Sequence, residues 1–219
     1  MAPNVLLCDL DGTLIDKDAG FALWADAFAA ARGLTDEQRR WLFDADRLRR
    51  QREPFFKAVV DHLAPDEDPE ALWAEYRQQM PTLAPAMGGV AAALTLMREH
   101  GWLVAVVSNG KSDNQRGKLA ASGLGPLFDG VVISEEVGLR KPDPAIFAAA
   151  VQECTKDQPI GAVWLIGDDP SDDIEGGILA GLNTIWVSGG RAWPDAVSAP
   201  TATFETTVEG LAYLLGNVR

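Results

Sequence analysis

Val5-Leu6-Leu7-Cys8-Asp9-Leu10-Asp11-Gly12-Thr13-Leu14 is the stretch from which the rest of the chain can be read. Its first four residues form an apolar run with the length and aliphatic content of a buried strand, and two carboxylates follow at its end. Alternation along a strand points Asp9 and Asp11 the same way, and Gly12 lets the chain turn sharply beyond them, so both acids face one small volume. Like charges about 4 Å apart repel by on the order of 1 kcal/mol in water and about 4 kcal/mol at the effective dielectric of a protein surface. A cation or a shared proton is therefore expected beside them. A carboxylate nucleophile with an adjacent acid/base requires this arrangement. Alone, Asp-x-Asp-Gly is more often a turn or part of a calcium loop, so the other segments must decide.

Beyond residue 101, short apolar runs alternate with helical patterns. The runs are Trp102 to Val107, Val131 to Ile133, Ala162 to Ile166 and Thr184 to Val187. Between them, Ser112 with Gln115 reads as a capping box, Gly123 as a helix stop, and Asp143-Pro144 as an N-cap followed by proline at the first helical position. This alternation predicts βαβ units and a parallel sheet, to which the strand at 4 to 9 also belongs. The segment between residues 17 and 82 carries no strand signal. Phe21, Trp24, Ala25 and Phe28 keep helical spacing, Thr35 with Gln38 is another capping box, Asp68-Pro69 opens a further helix, and Pro81 and Pro85 close the segment. The expected architecture is an α/β, doubly wound, Rossmann-like parallel sheet, residues 1–16 and 83–219, with an inserted α-helical cap at 17–82.

In such sheets ligands bind beyond the carboxyl ends of the strands. After the first strand come Asp9 and Asp11; after the second, Ser108-Asn109-Gly110; beyond the third, Arg140-Lys141-Pro142; after the fourth, Gly167-Asp168-Asp169-Pro170-Ser171-Asp172-Asp173. A hydroxyl with backbone amides at Ser108 and Asn109 can hold phosphate oxygens, Lys141 can neutralise their charge, and Asp168 can join Asp9 in holding a hard divalent cation. Taken singly, Ser108-Asn109-Gly110 is an ordinary loop and Lys141 a solvated lysine. Ser171 or Asp172 reads as a helix cap, and Asp173 as a support for Lys141 or for the loop. Asp169 is open between metal binding and exposure to solvent.

These four segments, in this order, resemble the four motifs of the haloacid dehalogenase-like hydrolase superfamily. Asp9 to Leu14 is similar to the first, Ser108-Asn109 to the second, Lys141 to the third, and Gly167-Asp168 with Asp173 to the fourth; the helical insertion resembles the cap of subfamily I. The resemblance implies that Asp9 is the nucleophile of an aspartyl-phosphate and that Asp11 protonates the leaving group and then deprotonates water. It also implies that Thr13, Ser108, Asn109 and Lys141 bind substrate, and that Mg²⁺ is held by Asp9, Asp168 and the backbone carbonyl of Asp11. A Mg²⁺-dependent phosphatase acting on a small phosphorylated metabolite is the expected function, with the cap closing to exclude water and select substrate. A phosphomutase needs the same aspartates. Dehalogenases of the superfamily use no metal and lack the second aspartate, so Asp11 argues against that chemistry. A phosphorylatable receiver-like module also combines acidic residues, a hydroxyl and a lysine, but an insertion of about 65 residues beside the acceptor suits sequestration better than signalling.

Composition sets the outer limits. Of 219 residues, 47% are hydrophobic and 23% charged, as in globular proteins, and 19 basic against 32 acidic residues leave a net charge of −13. That field argues against nucleic-acid polymers and anionic membranes as partners. Neither a basic segment ahead of a long apolar stretch nor an 18-residue apolar run occurs, so a cytoplasmic protein is expected. Cys8 and Cys154 read as core thiols, and His62 and His100 as structural. Arg47, Arg49, Arg50 and Arg52 form a basic cluster read first as a solvated face paired with Asp44, Asp46 and Glu53, and second as a contact of Arg47 or Arg50 with an anionic part of the substrate. Phe21, Trp24, Phe28, Trp41 and Trp73 are expected to form the cap's own core. Ser188-Gly189-Gly190-Arg191 is a further place for substrate determinants.

Overall fold

A computed structural model of the chain describes residues 2–48, 52–194 and 198–218. These divide into two compact units, one formed by Met1–Asp16 with Ala86–Arg219 and the other by Lys17–Pro85.

Among the described residues the first unit holds six parallel strands: β1 (Val5–Cys8), β2 (Leu103–Ser108), β3 (Gly130–Ile133), β4 (Val163–Gly167), β5 (Asn183–Val187) and β6 (Ala202–Phe204), in the order β3-β2-β1-β4-β5-β6. β1 is buried along its whole length, which is why it reads as a continuous apolar run rather than an alternating one. Successive residues serve opposite faces. Val5, Leu7, Ala105, Val107 and Leu165 pack with Ile146, Phe147, Ala150 and Cys154 of the helix Pro144–Thr155. On the other face, Gly210 of the helix Thr207–Asn217 lies against Ile166 and Ile185, close enough that a Cβ there would stand 2.9 Å from Ile166. Helices therefore cover both faces. Strand order runs outward in both directions from β1 and β4, so the switch point lies between the ends of these two strands.

β6 and the C-terminal helix go beyond the sequence reading. β6 has three residues and no buried face, too little for a periodic signal. The helix, by contrast, carries a legible capping box, Thr206 with Glu209, and both halves of it form.

Among the described residues the second unit contains four helices, Lys17–Arg32, Asp36–Leu48, Arg52–Leu63 and Pro69–Leu83. Phe21, Trp24, Phe28, Phe55, Phe56 and Tyr76 are buried and meet mostly edge to face, as in Phe21 with Phe55 and Phe55 with Phe56, at ring centroid distances of 5.0 to 6.4 Å. Trp41 and Trp73 are only half-buried: Trp41 lies over the His62 ring, and Trp73 stacks on Phe56. The Thr35–Gln38 box and the Asp68 cap form as expected. Pro81 does not end its helix, which continues to Leu83, since one missing donor near the end leaves the Ala84 N–H to Met80 O bond intact. Arg52 pairs with Asp46 and faces the Phe21, Phe55 and Tyr76 rings, so this arginine belongs to the helical core's border and not to a solvated face. Arg47 is exposed, and Arg49 and Arg50 lie outside the described residues. Phe56 is fully buried among four aromatic rings; Phe56→Ala is expected to cost this unit about 3–5 kcal/mol, measured as a lowered chemical denaturation midpoint.

Candidate active site

Asp9 leaves β1 next to the end of β4, its N–H bonded to Ile166 O at 2.9 Å. Register pairs Cys8 with Ile166, which brings Asp9 beside Gly167 and Asp168. Carboxylate oxygens of Asp9, Asp168 and Asp173, all buried, lie within 4.8 Å of one another. Two glycines permit this crowding. Gly12 has φ +88°, and a Cβ there would stand 2.7 Å from the Asp168 carboxylate; a Cβ on Gly167 would run into Asp173.

Lys141, 3% exposed, enters the cluster with Nζ 2.5 Å from Asp9 Oδ1 and 2.6 Å from Asp173 Oδ1. The other Asp173 oxygen accepts the Asp169 N–H at 3.0 Å. Asn109 holds the Lys141 main chain from both sides, accepting Lys141 N–H at 2.9 Å and donating to Lys141 O at 3.0 Å, and donates to Asp172 as well. Its side chain therefore brackets the lysine and is not offered to a ligand. Thr13 is fully buried and donates weakly to Asp9 Oδ2 at 3.4 Å, so the side chain supports the carboxylate instead of reaching open space. Asp169 caps the π-helical turn Pro170–Glu175 by accepting from Ser171 and Asp172 N–H; neither Ser171 nor Asp172 is the cap.

Charge does not balance inside this cluster. Burial pushes the Asp9 carboxyl up from the usual range, Lys141 pulls it back, and Asp168 adds to the rise. Burial likewise pushes Asp173 up to about 8, opposed by Lys141 and reinforced by Asp9 and Asp168. Burial disfavours the Lys141 charge, but Asp173 and Asp9 beside it outweigh this and hold the ammonium well above the ordinary lysine range. Three acids face Lys141 and, through Asp168 alone, Arg191. The donor set is oxygen only, compact and short of positive charge, which fits a hard divalent cation at Asp9 and Asp168: both Asp173 oxygens accept at 2.6 and 3.0 Å, whereas the Thr13 contact at Asp9 Oδ2 is a weak one of 3.4 Å.

Three further residues, Lys118, Gln115 and Arg191, meet the site; the sequence assigns Gln115 to a helix cap and Arg191 to a loop for substrate determinants, and Lys118 to nothing. Asp11 does not join the acidic cluster with its carboxylate: both oxygens accept from Lys118 Nζ, at 2.7 and 2.8 Å, and one accepts from Gln115. Lys118 and Gln115 lie on the helix Ser112–Ala121. Gln115 thus forms no capping box with Ser112, whose hydroxyl donates to Glu136; the amide is drawn inward to Asp11 and Ser108 instead. Arg191 donates to Asp168 O at 2.8 Å and Oδ2 at 3.3 Å. The spacing of 115 and 118 on one helical face was the available signal for the first two; Arg191 lay in a loop already marked.

A sequence profile described as haloacid dehalogenase-like hydrolase matches residues 3–181. A phosphoserine phosphatase of Thermus thermophilus is 33% identical over 151 residues, 68% of this chain and 59% of that protein. The pyrimidine 5'-nucleotidase YjjG of Escherichia coli is 33% identical over 65% of this chain and 62% of its own length, so the chain spans about three fifths of each of these relatives. The pyrimidine 5'-nucleotidase PynA of Streptococcus pneumoniae is 28% identical over 83% of the chain and 82% of that protein. In fold, the chain is similar to the magnesium-bound structure named as the HAD-hydrolase YfnB of Bacillus subtilis, with a TM-score of 0.83, 24% identity and full coverage of both chains.

Proposed function

Since the chain belongs to the haloacid dehalogenase-like hydrolases, we propose that it is a Mg²⁺-dependent phosphatase that hydrolyses a small phosphomonoester through an aspartyl-phosphate on Asp9. The observation that carries this reading is the buried cluster of Asp9, Asp168 and Asp173 around Lys141 at the sheet's switch point. The names of the relatives, a phosphoserine phosphatase and two nucleotidases, support a small phosphorylated substrate.

Each group has a role that its surroundings permit. An Asp9 carboxylate oxygen attacks phosphorus while the bond to the leaving oxygen breaks, and Asp11 supplies the proton that the leaving oxygen takes. Water then attacks the phosphoenzyme and passes a proton to Asp11, the bond from Asp9 to phosphorus breaks, and phosphate leaves with Asp9 restored. Lys141 stabilises charge at the transferring group and keeps Asp9 ionised, held in place by Asp173 and Asn109. Ser108 and the neighbouring backbone amides hold phosphate oxygens. A divalent cation at Asp9 and Asp168, the fit described above, would offset the summed charge of nucleophile and phosphate.

The test is phosphate release from nucleotides, sugar phosphates and phosphorylated organic acids, with Mg²⁺ or with EDTA. Release that needs Mg²⁺ is expected. Isomerisation of a sugar phosphate without phosphate release, or no release from any substrate, would overturn the reading. Metal binding has its own readout. At about 100 times its dissociation constant Mg²⁺ is expected to stabilise by about 2.7 kcal/mol, raising the melting temperature by roughly 5–10 °C, and Asp168→Asn is expected to abolish that rise.

A further inference from the structure

Lys118 is 3% exposed, and its Nζ donates to both Asp11 oxygens and, at 2.9 Å, to Gln115 Oε1. An ammonium has three hydrogens and no acceptor, so these contacts occupy every donor it has. Gln115, 1% exposed, donates from Nε2 to Asp11 Oδ2 at 2.9 Å and to Ser108 Oγ at 2.7 Å. Lys118 on Oε1 fixes which end of the Gln115 amide faces the site. Because Nε2 occupies an acceptor position on Ser108 Oγ, the Ser108 hydrogen is directed away from Gln115. Asp11 keeps 25% of its side chain exposed.

We propose that Lys118 and Gln115 are positioning residues for phosphoryl transfer. Lys118 orients the Asp11 carboxylate to accept a proton from the attacking water, and Gln115 ties that carboxylate to the Ser108 hydroxyl that receives the phosphate. The proposal rests on the phosphatase reading above. The step concerned is hydrolysis of the phosphoenzyme: water oxygen bonds phosphorus, its proton goes to Asp11, and the oxygen of Asp9 departs as carboxylate.

p-Nitrophenyl phosphate isolates that step, because p-nitrophenolate leaves without needing a proton. Lys118→Met is expected to lower kcat about 100-fold while kcat/KM, which reports the first chemical step, stays within about 3-fold, so KM falls with kcat. Acid-quenched protein should then carry nearly one phosphate per chain on Asp9, read by mass spectrometry. A purely structural role predicts equal falls in kcat and kcat/KM with no phosphoenzyme build-up, and that result would overturn the proposal, as would unchanged kinetics. If Lys118→Met fails to fold by circular dichroism, Gln115→Leu, which retains the Lys118–Asp11 pair, must show the same split with a fall in kcat of about 10-fold, or the proposal fails. Wild-type protein inactive on every phosphomonoester removes the phosphatase reading and this inference with it; active wild type without the split in either variant removes the inference alone.

Discussion

Asp9→Asn is expected to lower turnover of p-nitrophenyl phosphate by at least about 10⁴-fold while leaving the fold intact, the largest activity effect of any substitution in this chain. The amide oxygen can still accept from Lys141, and Lys141 keeps Asp173 at 2.6 Å, so the buried lysine is not orphaned. The melting temperature at neutral pH should be unchanged or higher. Burial raises the Asp9 pKa in the folded state, and a carboxyl raised on folding gives stability that is present below its unfolded pKa and lost as pH rises through the folded value. Removing the charge therefore relieves the folded protein. Sustained multiple turnover by the variant, with back-deamidation excluded by mass, would end the role of Asp9 as nucleophile.

Lys141→Met is expected to combine a large loss of stability with loss of activity. It leaves Asp9, Asp168 and Asp173 buried within 4.8 Å of one another without their ammonium. Removing one partner of a buried, hydrogen-bonded ion pair costs about 3–5 kcal/mol, because the remaining charge has lost both water and partner. A urea titration at neutral pH should show that loss as a lower midpoint. The deficit should shrink as pH falls, since protonation of Asp9 and Asp173, both raised by burial, removes the repulsion that Lys141 balanced. An unchanged midpoint would mean that the cluster is neutralised by something other than Lys141. Activity should be lost as well, as the same ammonium faces the nucleophile.

The sheet was legible because parallel strands covered on both faces are short, continuous apolar runs, and β1 to β5 all have that signature. β6 lacks it because it is brief and half-exposed at the edge. Besides Pro81, local chemistry misled at two points near the site. Ser112 and Gln115 have the spacing of a capping box, yet a buried contact of Gln115 with Asp11 and Ser108 overrides a surface cap. Ser171 and Asp172 are good caps by residue type, but Asp169 stands one position before the turn and takes both N–H groups. Lys118 stands three residues from Gln115 on one helical face, but that spacing does not identify the carboxylate 107 positions away with which the lysine pairs.

By itself the sequence determined which side chains gather at the strand ends: periodicity encodes burial, burial encodes the strands, and in a doubly wound sheet the residues just after β1, β2 and β4 share one edge. It did not determine how those charges pair. Asp9 meets Lys141 across 132 residues and Asp11 meets Lys118 across 107, and these matches follow from strand order and register. Only the tertiary structure parts the two aspartates, one into an acidic cluster with a lysine at its centre and the other into the grip of a helix. The physical reason is that desolvation acts on each residue alone, whereas Coulomb attraction acts on whichever partner folding brings within a few ångströms.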